Sequence, residues 1–239
     1  MIVSDLTRHD LQDVTIAAIQ MTAVAGDIEG NLTSIDRLLG DAIGQGADIV
    51  RFTELSVCGY NTQLVISPDG IEGKYRKSHV HTTEISTRRH GDGLPIFDHP
   101  KIRFGVEICY GTHFPEISTA LADKGAERIF LSHASEVPSP HPISRRAGNG
   151  LSPSRVYDNT VFAAICNQMG DNQAGHVFLG VTFVCDPTGK LMIQSSDGSS
   201  EEIVLANLKA NVLEDACHVP ETFFRHFQRP EIYETTEND

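Results

Sequence analysis

Short apolar, β-branched runs bounded by Gly, Pro and Asp recur along the chain, at Val14–Met21, Asp48–Thr53, Thr62–Ser67, Arg103–Cys109, Arg128–His133, Val161–Cys166, Val181–Asp186 and Glu202–Leu208. Runs of this length and composition read as strands. Between the first two, Asn31–Gly46 carries Leu32, Ile35, Leu38, Leu39, Ala42 and Ile43 at helical spacing, after an Asn suited to a cap and before Gly44 and Gly46. A second helix is expected to start at Pro115, whose ring suits the first helical turn, and to carry Ile117, Leu121 and Ala122 toward Gly125. A third is expected over Ser152–Asn159. Strand, helix, strand order in the first half predicts a mixed or parallel sheet covered by helices, and turns such as Asp186–Gly189 predict hairpins later. The expected fold class is α/β, a single domain with helices on one side of a β-sandwich core.

Charge narrows the partners. Against 32 Asp+Glu the chain has 19 Lys+Arg, a formal charge of -13, and its densest basic cluster is the broken Lys74/Arg76/Lys77 group, so no nucleic acid partner is expected. No apolar stretch approaches the roughly 20 residues of a membrane span. Met1–Asp10 places Asp5, Arg8 and Asp10 where a signal peptide would need an apolar core, so no membrane partner and a cytoplasmic location are expected. Cys58, Cys109, Cys166, Cys185 and Cys217 are odd in number and lack a CxxC pair, which argues against a disulfide framework and a structural zinc site. In VCGY, EICY, AICN and FVCD the ordinary reading of a thiol is a small buried hydrophobe.

One of these cysteines has better neighbours. In RFGVEICYGTHFPE an apolar strand ends at Cys109, turns through Gly111 and enters a helix at Pro115. A thiol on such a turn sits at the sheet rim near backbone N–H groups that stabilise a thiolate or an oxyanion; the alternative is a buried structural cysteine. Glu54 ends the run DIVRFT, where apolar neighbours raise a carboxyl's pKa and suit it to general-base work; a capping or solvated glutamate is the alternative. Lys77 in KYRKSHV and Glu84 in HTTE are, on their own, equally readable as solvated charges. His79 and His81 alternate and could chelate a metal with His90 or Glu84, but the pair has no clear third ligand, and Cys109 with His113 lacks an orienting Asn or Asp, so neither a metal site nor a Cys–His dyad is expected.

Together, FTELSVCGY, YRKSHVHTTE, GVEICYGTHFPE, YDNTVFAAICNQMG and GVTFVCDPTGKL resemble, in order, the signature blocks of the carbon–nitrogen hydrolase (nitrilase) superfamily, over about Val14 to Leu208. The resemblance implies an αββα sandwich in a single domain spanning 13–215, with an N-terminal arm at 1–12 and a C-terminal segment at 216–239 that ends in an acidic tail. It implies a Glu–Lys–Cys triad of Glu54, Lys77 and Cys109, with Glu84 as a supporting second carboxylate, and no metal or organic cofactor. The implied activity is thiol-dependent hydrolysis of a small linear amide or N-carbamoyl amine, since SRVYDNTVFAAICNQMG and HFPE look more like the amidase and carbamoyl-amidase branches than the true nitrilases. Tyr60, Tyr110 and His133, each beside a presumed catalytic residue, are the expected substrate contacts.

The chain also departs from the family. Lys77 follows Glu54 by only 23 positions, an interval where the family places a strand–helix unit and more, which reads as an internal deletion. Arg51 puts a charge into a strand expected to be buried, at a cost of several kcal/mol unless it is paired. Thr53 stands where the family usually has Pro, and Gly111 where Asp commonly follows the Cys-Tyr pair. The competing expectation is therefore a catalytically impaired remnant that keeps the fold as a binding or assembly module. The family also implies a homodimer or higher homo-oligomer. Its expected contacts are the helix at Pro115–Lys124 and the segment Glu221–Tyr233, where Phe223, Phe224, Phe227 and Ile232 lie beside Arg225 and Arg229.

Overall fold

The computed structural model describes residues 11–57, 61–137, 143–219, 221 and 223–232. In chain order its elements are β1 (Val14–Gln20), α1 (Ile28–Gly44), β2 (Ile49–Arg51), β3 (Thr62–Ser67), β4 (Gly70–Arg76), β5 (Ile96–His99), β6 (Ile102–Ile108), α2 (Pro115–Asp123), β7 (Arg128–His133), β8 (Glu136–Val137), α3 (Ile143–Asn159), β9 (Phe162–Asn167), β10 (Met169–Asp171), β11 (Val177–Leu179), β12 (Phe183–Cys185), β13 (Leu191–Gln194), β14 (Glu202–Leu208) and α4 (Ala210–His218). Tyr60, one of the expected substrate contacts, lies outside the described residues.

Two sheets face each other. One has the order β14-β1-β2, the other β13-β12-β9-β7-β6-β5, with β6, β7 and β9 parallel at its centre. Strand alternation assigns the faces. Ile16 and Ala18 of β1 point inward and join Val106, Ile108, Phe130, Ala164 and Cys166 in the core between the sheets. Ala17, Ile19 and Met21 point outward and are covered by Leu38 and Ala42 of α1. On the far side, Ile129, Leu131, Ala163 and Ile165 are covered by Ile117 and Leu121 of α2 and Val156 of α3. The layers run helix, sheet, sheet, helix. Helices thus cover both outer faces, which corrects the one-sided arrangement expected from element order.

Local chemistry accounts for the ends of the helices. The Asp27 carboxylate accepts from the Gly30 N–H at 3.0 Å and caps α1 three residues earlier than the expected start. Pro115 opens α2 as expected. Gly105 on β6 lets α2 approach closely: a Cβ there would meet the Leu121 side chain at 2.9 Å and force it to shift.

Two parts of the molecule are packed on fewer sides. The outer edge of β2 has no strand partner among the described residues, and β3 pairs only with β4, in a separate two-stranded sheet. One face of that hairpin leaves Leu64, Ile66 and Ile71 in water, at 48%, 67% and 68% exposure. The C-terminal segment is divided. Phe223 is buried and the buried Arg225 donates to Asp123 of α2 at 2.9 Å, whereas Phe224, Phe227 and Ile232 are exposed.

Candidate active site

Cys109 stands at the end of β6 with φ +40°, a left-handed backbone that a non-glycine residue holds only when its surroundings impose it. A short 3₁₀ turn, Cys109–His113, then leads into α2. Glu54 follows β2 in the same way, and Leu55 after it has φ +61°. Lys77 follows β4, with its N–H donating to the Asn61 carbonyl at 2.9 Å and its carbonyl accepting from Gly91 at 2.8 Å. Glu84 sits in the next turn, held by the Glu84 N–H to His81 carbonyl bond of 2.8 Å.

These carriers bring four side chains together. Lys77 Nζ donates to Glu54 Oε1 at 2.8 Å and to Glu84 Oε2 at 3.3 Å. Glu54 and Lys77 are both buried, and Glu84 is partly open to solvent. The Cys109 thiol is electrostatically coupled to the same Glu54 carboxylate and to Lys77, and it feels the Ala134 backbone N–H. The Glu54 backbone is fixed in turn by Gln168, whose Nε2 donates to its carbonyl at 2.7 Å.

Electrostatics set the resting protonation. Burial raises the Glu54 carboxyl above its ordinary value, and the adjacent Lys77 charge opposes the rise. For Lys77, burial works against the charge but is outweighed by Glu54, Cys109 and Glu84, so the ammonium is held more firmly than in water. Burial, then the Glu54 charge, pushes the Cys109 thiol well above the usual thiol range. The resting pair is therefore a neutral thiol against a carboxylate, and the thiol needs a base to become a nucleophile.

The other expected contacts differ among themselves. Tyr110, directly after Cys109, is half-buried and meets the His81 ring edge-on at 5.0 Å. His133 is buried beside the site with its Nε2 unpartnered; burial, then Lys77 and His113, pulls its pKa down to about 4, so the ring is neutral at physiological pH. His113 packs on the Tyr110 ring rather than on the thiol, and His79 stacks on Phe114 at 3.8 Å.

Several contributors lie outside the residues that sequence reasoning finds. Gln168 and the Ala134 N–H reach the site across the fold and carry no local signal. Glu107 lies apart from these groups, turned toward α2: a carboxylate inside the apolar strand RFGVEIC is anomalous, and it proves to be completely buried, accepting from Ser118 Oγ. Burial raises its pKa to about 7. Arg51 is buried and hydrogen-bonded, but to the neutral Gln63 and Ser132 side chains, so among the described residues its charge has no carboxylate partner.

A family model described as carbon–nitrogen hydrolase matches residues 60–216. An (R)-stereoselective amidase of Pseudomonas sp is 30% identical over 196 residues, covering 81% of this chain and 69% of the relative. The omega-amidase NIT3 of Saccharomyces cerevisiae is 32% identical over 183 residues, covering 70% of this chain and 60% of the relative. The chain thus spans about two thirds of the length of these curated relatives. Among solved structures, Saccharomyces cerevisiae Nit3, of branch 10 of the nitrilase superfamily, superposes with a TM-score of 0.81 at 23% identity, over 93% of this chain and 98% of the other.

Proposed function

The chain belongs to the carbon–nitrogen hydrolase family, and from that premise we propose that it hydrolyses the C–N bond of a small linear amide or N-carbamoyl amine through a thioester on Cys109. The observation that carries the reading is one buried carboxylate, Glu54, bonded to the Lys77 ammonium at 2.8 Å and electrostatically coupled to the Cys109 thiol. In this reading Glu54 takes the thiol proton as sulfur attacks the carbonyl carbon. The oxyanion that forms is met by Lys77 Nζ and the Tyr110 N–H. Collapse of the tetrahedral adduct expels ammonia or an amine, which receives its proton from the Glu54 carboxylic acid. Water, deprotonated by the same Glu54, then attacks the thioester, releasing a carboxylic acid (or a carbamic acid) and restoring the thiol. Glu84 keeps Lys77 charged and aimed; Tyr60, Tyr110 and His133 contact the substrate. No metal or organic cofactor enters these steps.

The amidase relatives support this reading over a non-catalytic module, because each is named for such an activity. The test is ammonia release across a panel of ω-amides, N-carbamoyl amines and nitriles, with Cys109→Ala as the control. Turnover of no member, together with alkylation of Cys109 by iodoacetamide no faster than a free thiol, would favour the module instead.

The same reading includes a homodimer and a cytoplasmic location. The exposed Phe224, Phe227 and Ile232, beside Arg229, supply the aromatic and arginine composition of an interface core. Sedimentation at micromolar concentration is expected to give a dimer; a monomer whose mass does not rise with concentration would rule it out. No helix among the described residues is long and apolar enough to cross a membrane.

A further inference from the structure

Glu54 and Lys77 come from carriers that share no backbone ladder among the described residues: β2 has an open outer edge, and the β3–β4 hairpin is a sheet of its own. A buried side chain spans the break. Arg51, the last residue of β2, donates from Nη1 to Gln63 Oε1 of β3 at 2.8 Å and from Nη2 to Ser132 Oγ of β7. Each acceptor sends the connection back. Gln63 Nε2 donates to the Thr53 carbonyl at 3.3 Å, and Ser132 Oγ donates to the Phe52 carbonyl at 2.9 Å. Both loops close on the two residues directly before Glu54.

The other end of the connection reaches Lys77 just as directly. Gln63 lies opposite Tyr75 in the hairpin register, and Asn61, two residues before it, accepts the Lys77 N–H. Arg51 and Gln63 are 8% and 9% exposed and Ser132 is fully buried, so water does not compete for these bonds. Among the described residues the guanidinium has only neutral partners, and its Nε has none. A buried cation without a carboxylate is costly, and an apolar residue of the same volume would fill the space more cheaply. Its retention at this point needs a purpose other than filling volume.

We infer that Arg51 is a positioning residue for the proposed amide hydrolysis, a strut that joins the β3–β4 hairpin to the end of β2 and so sets Glu54 against Lys77. This role rests on the proposed roles of Glu54, Lys77 and Cys109. Burial lowers the Arg51 pKa only to about 10, so the strut remains charged at neutral pH.

The test compares Arg51→Met, Arg51→Ala, Arg51→Lys and Gln63→Leu by two readouts: kcat and KM for the best amide substrate, and the rate at which iodoacetamide alkylates Cys109, followed by peptide mass spectrometry. Arg51→Met is expected to lower kcat about 30-fold, the scale of a misplacement of a fraction of an ångström to one ångström, with KM changed by less than about threefold. Cys109 alkylation should slow in parallel, Gln63→Leu should act in the same direction, and Arg51→Lys should recover part of the loss. Guanidinium ion at low millimolar concentration should restore part of both rates to Arg51→Ala. If Arg51→Met does not fold, Gln63→Leu decides by the same readouts. Wild-type kcat and alkylation rate in folded Gln63→Leu and Arg51→Met, or no response of folded Arg51→Ala to guanidinium, would overturn the strut. If the wild type releases no ammonia yet Cys109 alkylates fast and slows in Arg51→Met, the strut stands and amide hydrolysis falls.

Discussion

Replacing Glu107 with Gln should stabilise this protein, and by an amount that grows with pH. Glu107 has no solvent exposure, one of its oxygens accepts from Ser118 and the other has no hydrogen-bond partner among the described residues. Burial moves its carboxyl from 4.5 to about 7, against the opposing pull of Ser118 and the Arg155 charge. Because the folded state holds this proton more tightly than the unfolded chain does, it binds more protons between 4.5 and about 7, and stability falls as pH rises through that window. The full displacement corresponds to about 3 kcal/mol, present above about pH 7 and absent below about pH 4. Gln keeps the shape and cannot ionise, so whatever fixed offset its amide introduces is the same at every pH. Between pH 5 and pH 8.5 the variant should gain about 2.5 kcal/mol on the wild type, which for a chain of this size is roughly 5–10 °C in Tm. Scanning calorimetry of both proteins at the two pH values measures it. A Tm difference that is the same at pH 5 and pH 8.5 would show that Glu107 does not titrate as its burial requires.

Cys109→Ala should abolish turnover with little loss of stability, since it removes one half-buried sulfur from a turn. Cys166→Ala, at a completely buried site whose thiol donates to the Arg51 carbonyl at 3.2 Å, should cost about 1–2 kcal/mol in urea unfolding and spare most of kcat. The acid limb of kcat/KM should report Glu54. As burial raises that carboxyl, activity should be lost on acidification at a pH above 4.5, and a limb at or below 4.5 would remove Glu54 as the base.

What could be read without coordinates depends on where the information lies. β1, β7 and β9 are long runs of nearly complete burial, so their composition alone marks them. β10 and β11 span three residues each and exist through their partners, which no local pattern announces. α3 starts at Ile143 rather than at Ser152, a start hidden because Gly148, Gly150 and Pro153 read by propensity as a loop. In the site, Glu54, Lys77 and Cys109 stand out because their surroundings are local motifs. The pairings that hold them are not local: Arg51 meets Ser132 across 81 positions, and Gln168 reaches Glu54 across 114. The same charge that looks like a flaw in β2 is legible as a strut only once its acceptors are known.

Opening of the separate β3–β4 hairpin would disable the site without global unfolding. Among the described residues each of its strands has a single neighbour and one face stands in water, while the other face is anchored by Tyr75 in the main core and by the buried Gln63, so peeling it away is a sub-global opening that costs the burial of those side chains. Lys77 would leave with it, while Cys109 stayed on an intact six-stranded sheet and Glu54 lost its cation. Backbone amides of Leu64–Arg76 should therefore exchange with deuterium sooner than those of Val106 or Phe130. In a urea titration, catalysis should disappear before far-UV ellipticity does.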